Sequence, residues 1–394
     1  MNIINSKKFD FKSLSILIAC CLCYGGSAGL IGNCFGIFYT PIINDLGFTV
    51  KQISFMTTLR TLSSAGFSLL LVKLMKKYKT GTIMTFGMGV CILMHILLTF
   101  STNIWEFYLI GILIGASSSC CSIIPITCII KDNCEGNSGS VMGVITAISG
   151  AVGIIFNPIC SKLIVKYSWR ISMLFITTLL LVFALPSAIH LRSAKAEQVS
   201  NNQKSDNTIT INNTFILIAI MASMLSISCC FISHISYFGV TKGFSLEDSA
   251  AMVSFVMAGN IIFKLLLGWV IDHIGIIKSL FIGTLLTLIG VFGLSLDFPL
   301  GIMCIFCFLY GAIYASIVLG VTGICRSIYK NKYADNYSKI SVITSLLSAL
   351  STTGVGVIYD KYVSYLPIIY LTSLALLISL ICLCVIKKKV CIEV

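Results

Sequence analysis

The stretch ILIACCLCYGGSAGLIGNCFGIF, Ile16 to Phe38, holds no charged side chain and no sustained polar break. A helix of about 20 such residues crosses the hydrocarbon core of a bilayer, so this one run is already long enough. Phe107–Ile130 and Ile368–Ile386 read the same way. The runs are continuously apolar rather than alternating, which predicts membrane helices and not barrel strands. Working outward, hydropathy predicts about twelve spans, near 13–37, 51–72, 81–100, 106–130, 140–161, 169–191, 213–239, 249–271, 276–296, 300–325, 338–358 and 365–386.

Composition agrees. Of 394 residues, 57% are hydrophobic and only 10% charged. Soluble domains carry roughly a quarter charged residues, so this chain lacks the surface to face water. Lys7, Lys8 and Lys12 precede the first apolar run as in a signal peptide. That run is too long and ends in GIFYTP rather than a small-residue cleavage site, so it reads as the first membrane helix. The 18 cysteines sit mostly inside apolar runs, as at Cys20, Cys21, Cys23, Cys120, Cys121, Cys229 and Cys230. Helix neighbours point in different directions and cannot converge on a metal. Cys304 and Cys307 form a CxxC without a second pair. No cofactor or metal site is expected.

The cations orient the bundle. With both termini cytoplasmic, inside segments hold 19 Lys and Arg and outside segments six: Lys51, Lys162, Lys166, Arg170, Lys242 and Lys361. That bias predicts a multi-pass cell-membrane protein with both ends inside. It also accounts for the net charge of +13 through loops facing anionic lipid, with no need of nucleic acid. Residues 192–212, rich in Lys, Asn, Gln and Ser, read as a solvated cytoplasmic linker. It would separate an N-terminal six-helix half, 1–191, from a C-terminal half, 213–394. Shifting the chain by 196 residues lays Gly47-Phe48-Thr49 on Gly243-Phe244-Ser245, Phe67 on Phe263, and Leu69-Leu70-Leu71 on Leu265-Leu266-Leu267. Two repeated six-helix units form a transporter architecture with a substrate site between the halves.

Gly268-Trp269-Val270-Ile271-Asp272-His273-Ile274-Gly275 with Lys278 resembles the G-x-x-x-D-x-x-G-x-x-K/R loop of the major facilitator superfamily. The glycine is expected to allow close helix contact, and Asp272 to cap the next helix and pair with cationic loops. The first-half copy departs, with Val72, Lys76 and Lys79 at the motif positions. Within the superfamily, Phe35-Gly36-Ile37-Phe38-Tyr39-Thr40-Pro41 and Ser168-Trp169-Arg170 are similar to F-G-V-F-y-x-P and G-W-R of the monocarboxylate transporter and oxalate–formate antiporter branch. Gly25-Gly26 also fits that branch, but the acidic residue and tryptophans usual around it are missing.

Two cations lie inside spans, Arg60 and Lys264, whereas all 14 acidic residues lie in loops, tails or helix ends. An unpaired cation at the bilayer centre costs roughly 2.5–3.5 kcal/mol on insertion scales. A mobile anion is the simplest counter-ion. Thr57, Arg60, Thr61, Ser64 and Ser68 share one helical face, as do Asn260, Lys264 and Gly268. The resemblance places a carboxylate-binding Arg at the position of Lys264 and an acid at that of Asn260. It also places a second cation, in the antiporter, near Thr344 and Ser345, which are uncharged here. Lys264 is therefore expected to matter most for transport, with Arg60, Asn260, Tyr310 and Tyr314 as further substrate contacts. Each has a structural alternative: Arg60 donating to carbonyls and hydroxyls, Lys264 snorkelling, the tyrosines packing. His95 and His234 are candidates for proton handling, although lone membrane histidines are more often packing residues. Gly111, Gly115, Gly143, Gly150 and Gly153 are expected to bring helices together.

The expected function is alternating-access transport of a small organic anion, a monocarboxylate, by proton symport or anion exchange. Nitrate or nitrite is the rival cargo, since nitrate porters also carry cations in the second and eighth helices; their G-G-N core is not reproduced in Gly143–Pro158. A transporter-like sensor is the rival of another class. An enzyme is not expected, as no HExxH, Ser/His/Asp set or intramembrane acid pair occurs. On topology, a cysteine introduced at position 204 should resist impermeant thiol reagents in intact cells and react once they are opened. Labelling from outside would reverse the orientation.

Overall fold

A computed structural model describes residues 11–133, 138–191, 213–329 and 333–392. It contains twelve helical spans long and apolar enough to cross a membrane. They are α1 (Leu14–Leu46), α2 (Val50–Lys77), α3 (Thr80–Phe100), α4 (Ile104–Ile130), α5 (Val141–Lys166) and α6 (Trp169–Leu191). After residues 192–212, which lie outside the described residues, follow α7 (Asn213–Thr241), α8 (Leu246–Ile274), α9 (Ile276–Gly293), α10 (Leu300–Tyr329), α11 (Asn336–Tyr362) and α12 (Leu366–Lys388). Several run past their apolar windows. α2 continues through Lys73–Lys77 and α11 to Tyr362, because a helix that has left hydrocarbon still satisfies its own backbone.

α1 outlasts its expected end at 37 for a different reason. Its turns widen over Gly25–Asn33 and tighten over Phe35–Phe38, so Pro41 falls near the start of a fresh helical segment, where its missing N–H costs little. That segment ends at Gly47, whose φ of +68° is a left-handed value suited to glycine. Phe48 packs on Phe107, and the Thr49 side chain caps α2 with Gln52 in a reciprocal box. Gly243, Phe244 and Ser245 repeat the device before α8: Gly243 has φ +90°, and Ser245 accepts from the Asp248 amide. The three-residue repeat in the sequence is thus a helix stop and a helix start.

Buried apolar side chains form two large cores. One is built from α1 to α6, and Ala250 of α8 also joins it. The other is built from α7 to α12. Within the first, the Trp169 indole and the Arg170 guanidinium both donate to Asp45, tying the start of α6 to the end of α1. Four of the five expected contact glycines lie against neighbouring helices: Gly111 on Met56, Gly115 on the Arg60 backbone, and Gly150 and Gly153 on α8. Gly143 does not; a Cβ there would meet nothing within 4 Å.

One irregularity shapes the site. α4 breaks between Ser119 and Ile123. Pro125 has no N–H to give the carbonyl four residues back, which is that of Cys121. Ser27 of α1 donates to this carbonyl at 3.0 Å. Ser27→Ala should therefore leave a buried acceptor empty and lower stability by about 1–2 kcal/mol. Adding Pro125→Ala should recover most of that loss in thermal melts of the purified protein, because a helical residue 125 supplies the missing N–H. Strictly additive losses would show that the two residues are unrelated.

Candidate functional site

Both ends of the described chain and the 275 loop lie on one face of the bundle, here the terminal face. On the opposite face the two halves are joined. Gly36 crosses Ser233 so closely that a Cβ would strike its carbonyl. Tyr39, next in the same motif, bonds Thr57 through its hydroxyl at 3.1 Å and sets its ring edge-on to His234, 5.2 Å between centroids. His234 reaches both halves, with Nε2 3.4 Å from Ser54 and Nδ1 3.1 Å from the Tyr365 hydroxyl. Thr58 of α2 donates to the Ala349 carbonyl of α11 and lies 2.7 Å from the Thr353 hydroxyl. At the outermost turn Asp360 of α11 accepts from the amides of Val50 and Lys51, at 3.2 and 3.0 Å. These are the first amides of α2, which have no partner within their own helix and sit at the positive end of its dipole.

Toward the terminal face the halves part around a cavity of about 540 Å³, with a second of about 320 Å³ beside it. Thr61, Ser341 and Ser345 line both, so the spaces meet between α2 and α11. Hydroxyls dominate the polar wall: Thr61, Ser64 and Ser68 from α2, Ser118 and Ser119 beside the break in α4. Arg60 is the one charged residue among the described lining residues. Its guanidinium donates to the Ile31 carbonyl at 2.7 Å and lies 5.6 Å from the Phe35 ring centre. Neither contact neutralises the charge, and no carboxylate among the described residues pairs with it.

The profile of the Major Facilitator Superfamily matches residues 17–352. The chain belongs to that superfamily. Solved structures agree on the fold at low identity. The nucleoside transporter NupG superposes with a TM-score of 0.76 at 12% identity, over 96% of this chain and 100% of that one. A bacterial homologue of the human lysosomal transporter Spinster, in an inward-facing and occupied conformation, gives 0.70 at 12% identity over 95% and 94%. No curated relative matches the chain in sequence.

The superfamily loop motif behaves differently from expectation in this conformation. α8 continues to Ile274, so Asp272 falls within its last turn, exposed, and neither caps α9 nor has an ion-pair partner among the described residues. The turn is made by Gly275 alone, at φ +83°. A Cβ on Gly268 would meet nothing within 4 Å, so this glycine makes no close helix contact here.

The expected site residues separate into groups. Arg60 and Tyr314 line the cavities. Lys264 does not; its ammonium lies 6.0 Å from the Tyr314 ring centre, with no hydrogen-bond or carboxylate partner among the described residues. Asn260 is buried where α8 meets Gly311 of α10, its Oδ1 without a partner. Tyr310 is a correction: it is fully buried in the second core and donates to the Ser228 carbonyl, so it packs and does not line the cavity. His95 bonds its own helix at the Cys91 carbonyl, 2.9 Å, as a packing histidine does. His234 lies in the closed contact between halves, away from the cavity wall. Sequence reading missed Ser341 and Ser345, whose four-residue spacing marks one face of α11, and Asp360, which looked like any charge at a helix end.

Asp360→Asn removes the negative charge and one of two acceptor oxygens, while the Thr49–Gln52 cap remains. A carboxylate at an exposed helix N-terminus contributes about 0.3–1 kcal/mol. Hydrogen exchange of the Val50 and Lys51 amides should therefore quicken about two- to fivefold, followed by mass spectrometry of the Gly47–Ser54 peptide. Unchanged exchange would mean that Asp360 does not hold this contact in the membrane protein.

Proposed function

We propose that the chain is a secondary transporter that carries a small organic anion, a monocarboxylate, by alternating access, with Arg60 as its counter-charge. One observation carries this: a guanidinium on the wall of a cavity between the two halves, with no fixed carboxylate among the described residues to balance it. An anion entering such a site replaces part of its hydration with a charged, directional donor. With both termini cytoplasmic, the open cavity faces the cytoplasm and the Asp360 contact closes the outer side.

The similarity of Phe35–Pro41 and Ser168–Arg170 to the monocarboxylate and oxalate–formate branch favours a carboxylate. The positions of the cations favour a monoanion. A dianion or nitrate site of the two-cation type would need Arg60 and Lys264 on one cavity, and Lys264 is not among the residues that line it. A nucleoside, the cargo named for NupG, is neutral and would leave Arg60 unmatched. Lys264 then serves as a positive charge beside Tyr314, felt by the anion without touching it. His234, between Tyr39, Ser54 and Tyr365, is the titratable group whose surroundings change when the outer contact opens, which suits proton symport.

Uptake into proteoliposomes, with a panel of monocarboxylates, dicarboxylates, nitrate and nucleosides, tests the assignment. Arg60→Gln should cost at least tenfold in apparent affinity, the equivalent of about 1.5–3 kcal/mol for a charged hydrogen bond. Lys264→Gln should cost less, and Lys264→Arg should transport. Collapse of the proton gradient should abolish accumulation; accumulation that persists would replace symport with anion exchange. Normal expression of Arg60→Gln with unchanged affinity would remove the anion site.

A further inference from the structure

The hydroxyls around Arg60 are more numerous than a bare carboxylate can use, and their hydrogen bonds have a common direction. Thr61 donates to the Thr57 carbonyl, Ser68 to Ala65, Ser118 to Gly115, Ser119 to Ala116 and Thr344 to Ser341. A hydroxyl has one proton to give and two lone pairs to accept with. Each of these has committed its proton to its own helix, so it offers the cavity acceptor capacity alone. Ser341 and Ser345, on the opposite wall from α2, make no side-chain hydrogen bond among the described residues. Ser122 Oγ is shielded from water and likewise unpartnered.

The described wall thus combines one fixed positive charge with many hydroxyls, some left only to accept and others, on Tyr24, Ser64, Tyr314, Ser341 and Ser345, with a proton still to give, and it includes no Asp, Glu, Asn, Gln, His or Lys. Each simple ligand class leaves part of this unmatched. An unsubstituted carboxylate satisfies Arg60 and one or two free hydroxyls but leaves most of the hydroxyl wall without a partner. An ammonium finds lone pairs but no counter-charge. A neutral polyol leaves the guanidinium facing nothing. A ligand carrying a carboxylate and several hydroxyl donors matches both features. Ala28, Ile31 and Ile123 supply the apolar patches that its C–H faces need. The cavity's 540 Å³ falls in the range of sites that hold multi-atom organic ligands, about 300–1,000 Å³, well above the need of a two- or three-carbon acid.

We infer that the cargo is a polyhydroxylated monocarboxylate of the aldonate or uronate kind, its carboxylate on Arg60 and its hydroxyls hydrogen-bonded to the serines and threonines of α2, α4 and α11. This rests on the anion reading of Arg60 and narrows it.

Three six-carbon probes separate the two features: gluconate has charge and hydroxyls, hexanoate charge alone, sorbitol hydroxyls alone. Affinities come from the melting temperature of the purified full-length protein across a concentration series of each, and radiolabelled gluconate uptake into proteoliposomes follows transport. Gluconate should bind at least about tenfold more tightly than either of the others, as two or three additional hydrogen bonds would give. The double variant Ser341→Ala/Ser345→Ala removes no bond within the protein, so its fold should be unchanged. It should weaken gluconate about fivefold or more and leave hexanoate alone. Equal affinity for gluconate and hexanoate, both lost in Arg60→Gln, overturns the hydroxyl inference and leaves the anion site standing. Equal affinity for gluconate and sorbitol, indifferent to Arg60→Gln, overturns the anion site itself. No stabilisation by any of the three overturns the inference.

Discussion

Hydrocarbon offers a backbone carbonyl nothing to bond with, and the irregular parts of this bundle are organised around that constraint. Where α4 loses a turn to Pro125, Ser27 of another helix supplies the missing donor. Where α6 widens over Ser187–Leu191, the Thr85 hydroxyl of α3 reaches the Ser187 carbonyl. In each case a hydroxyl from another helix stands in for part of the helix's own ladder. The wall of the cavity is polar for the same reason that it is irregular.

The two halves are each held by an apolar core, and Gly150 and Gly153 of α5 pack on Met257 and Ile261 of α8 between them, but the closure of the face opposite the termini is of another kind. On the closed side it consists of a few hydrogen bonds, an edge-on ring and a carboxylate on a helix end. Hydrogen bonds of this type contribute about 0.5–1.5 kcal/mol each. Moving a two-state equilibrium from 1:99 to 99:1 takes about 5.5 kcal/mol. A contact assembled from several such bonds therefore lies within reach of what cargo binding can offset, whereas either apolar core does not. The fold keeps rigid what must stay rigid and leaves reversible what must open.

The span pattern was readable because hydropathy is local: the twelve runs, the repeated Gly-Phe-Thr/Ser and the cations that break the apolar pattern all lie within short windows. The site was only half readable. Arg60, Thr61, Ser64 and Ser68 share a face that lines a cavity, as helical spacing requires, whereas Thr57 of the same stripe is buried against Tyr39. Tyr310 and Tyr314 look alike in sequence, one turn apart, yet one fills a core and the other lines the space. Which face meets water depends on helices from distant parts of the chain. Asp360 shows the limit most clearly: its partners are the amides of Val50 and Lys51, about 310 positions away. No pattern within α11 marks it.

The order of contacts along α2 and α11 has a mechanical meaning. From the opposite face inward come the Asp360 contact, then Thr58 between Ala349 and Thr353, then Thr61 facing Ser341 and Ser345 across the open space. At 1.5 Å per residue, Thr58 stands about 12 Å from Val50 and about 15 Å from Ser68. The pair is a seesaw with Thr58 at its fulcrum and arms of nearly equal length. A cargo bonded to Thr61 on one helix and Ser341 on the other would draw the open ends together and, through the same pivot, prise the far ends apart.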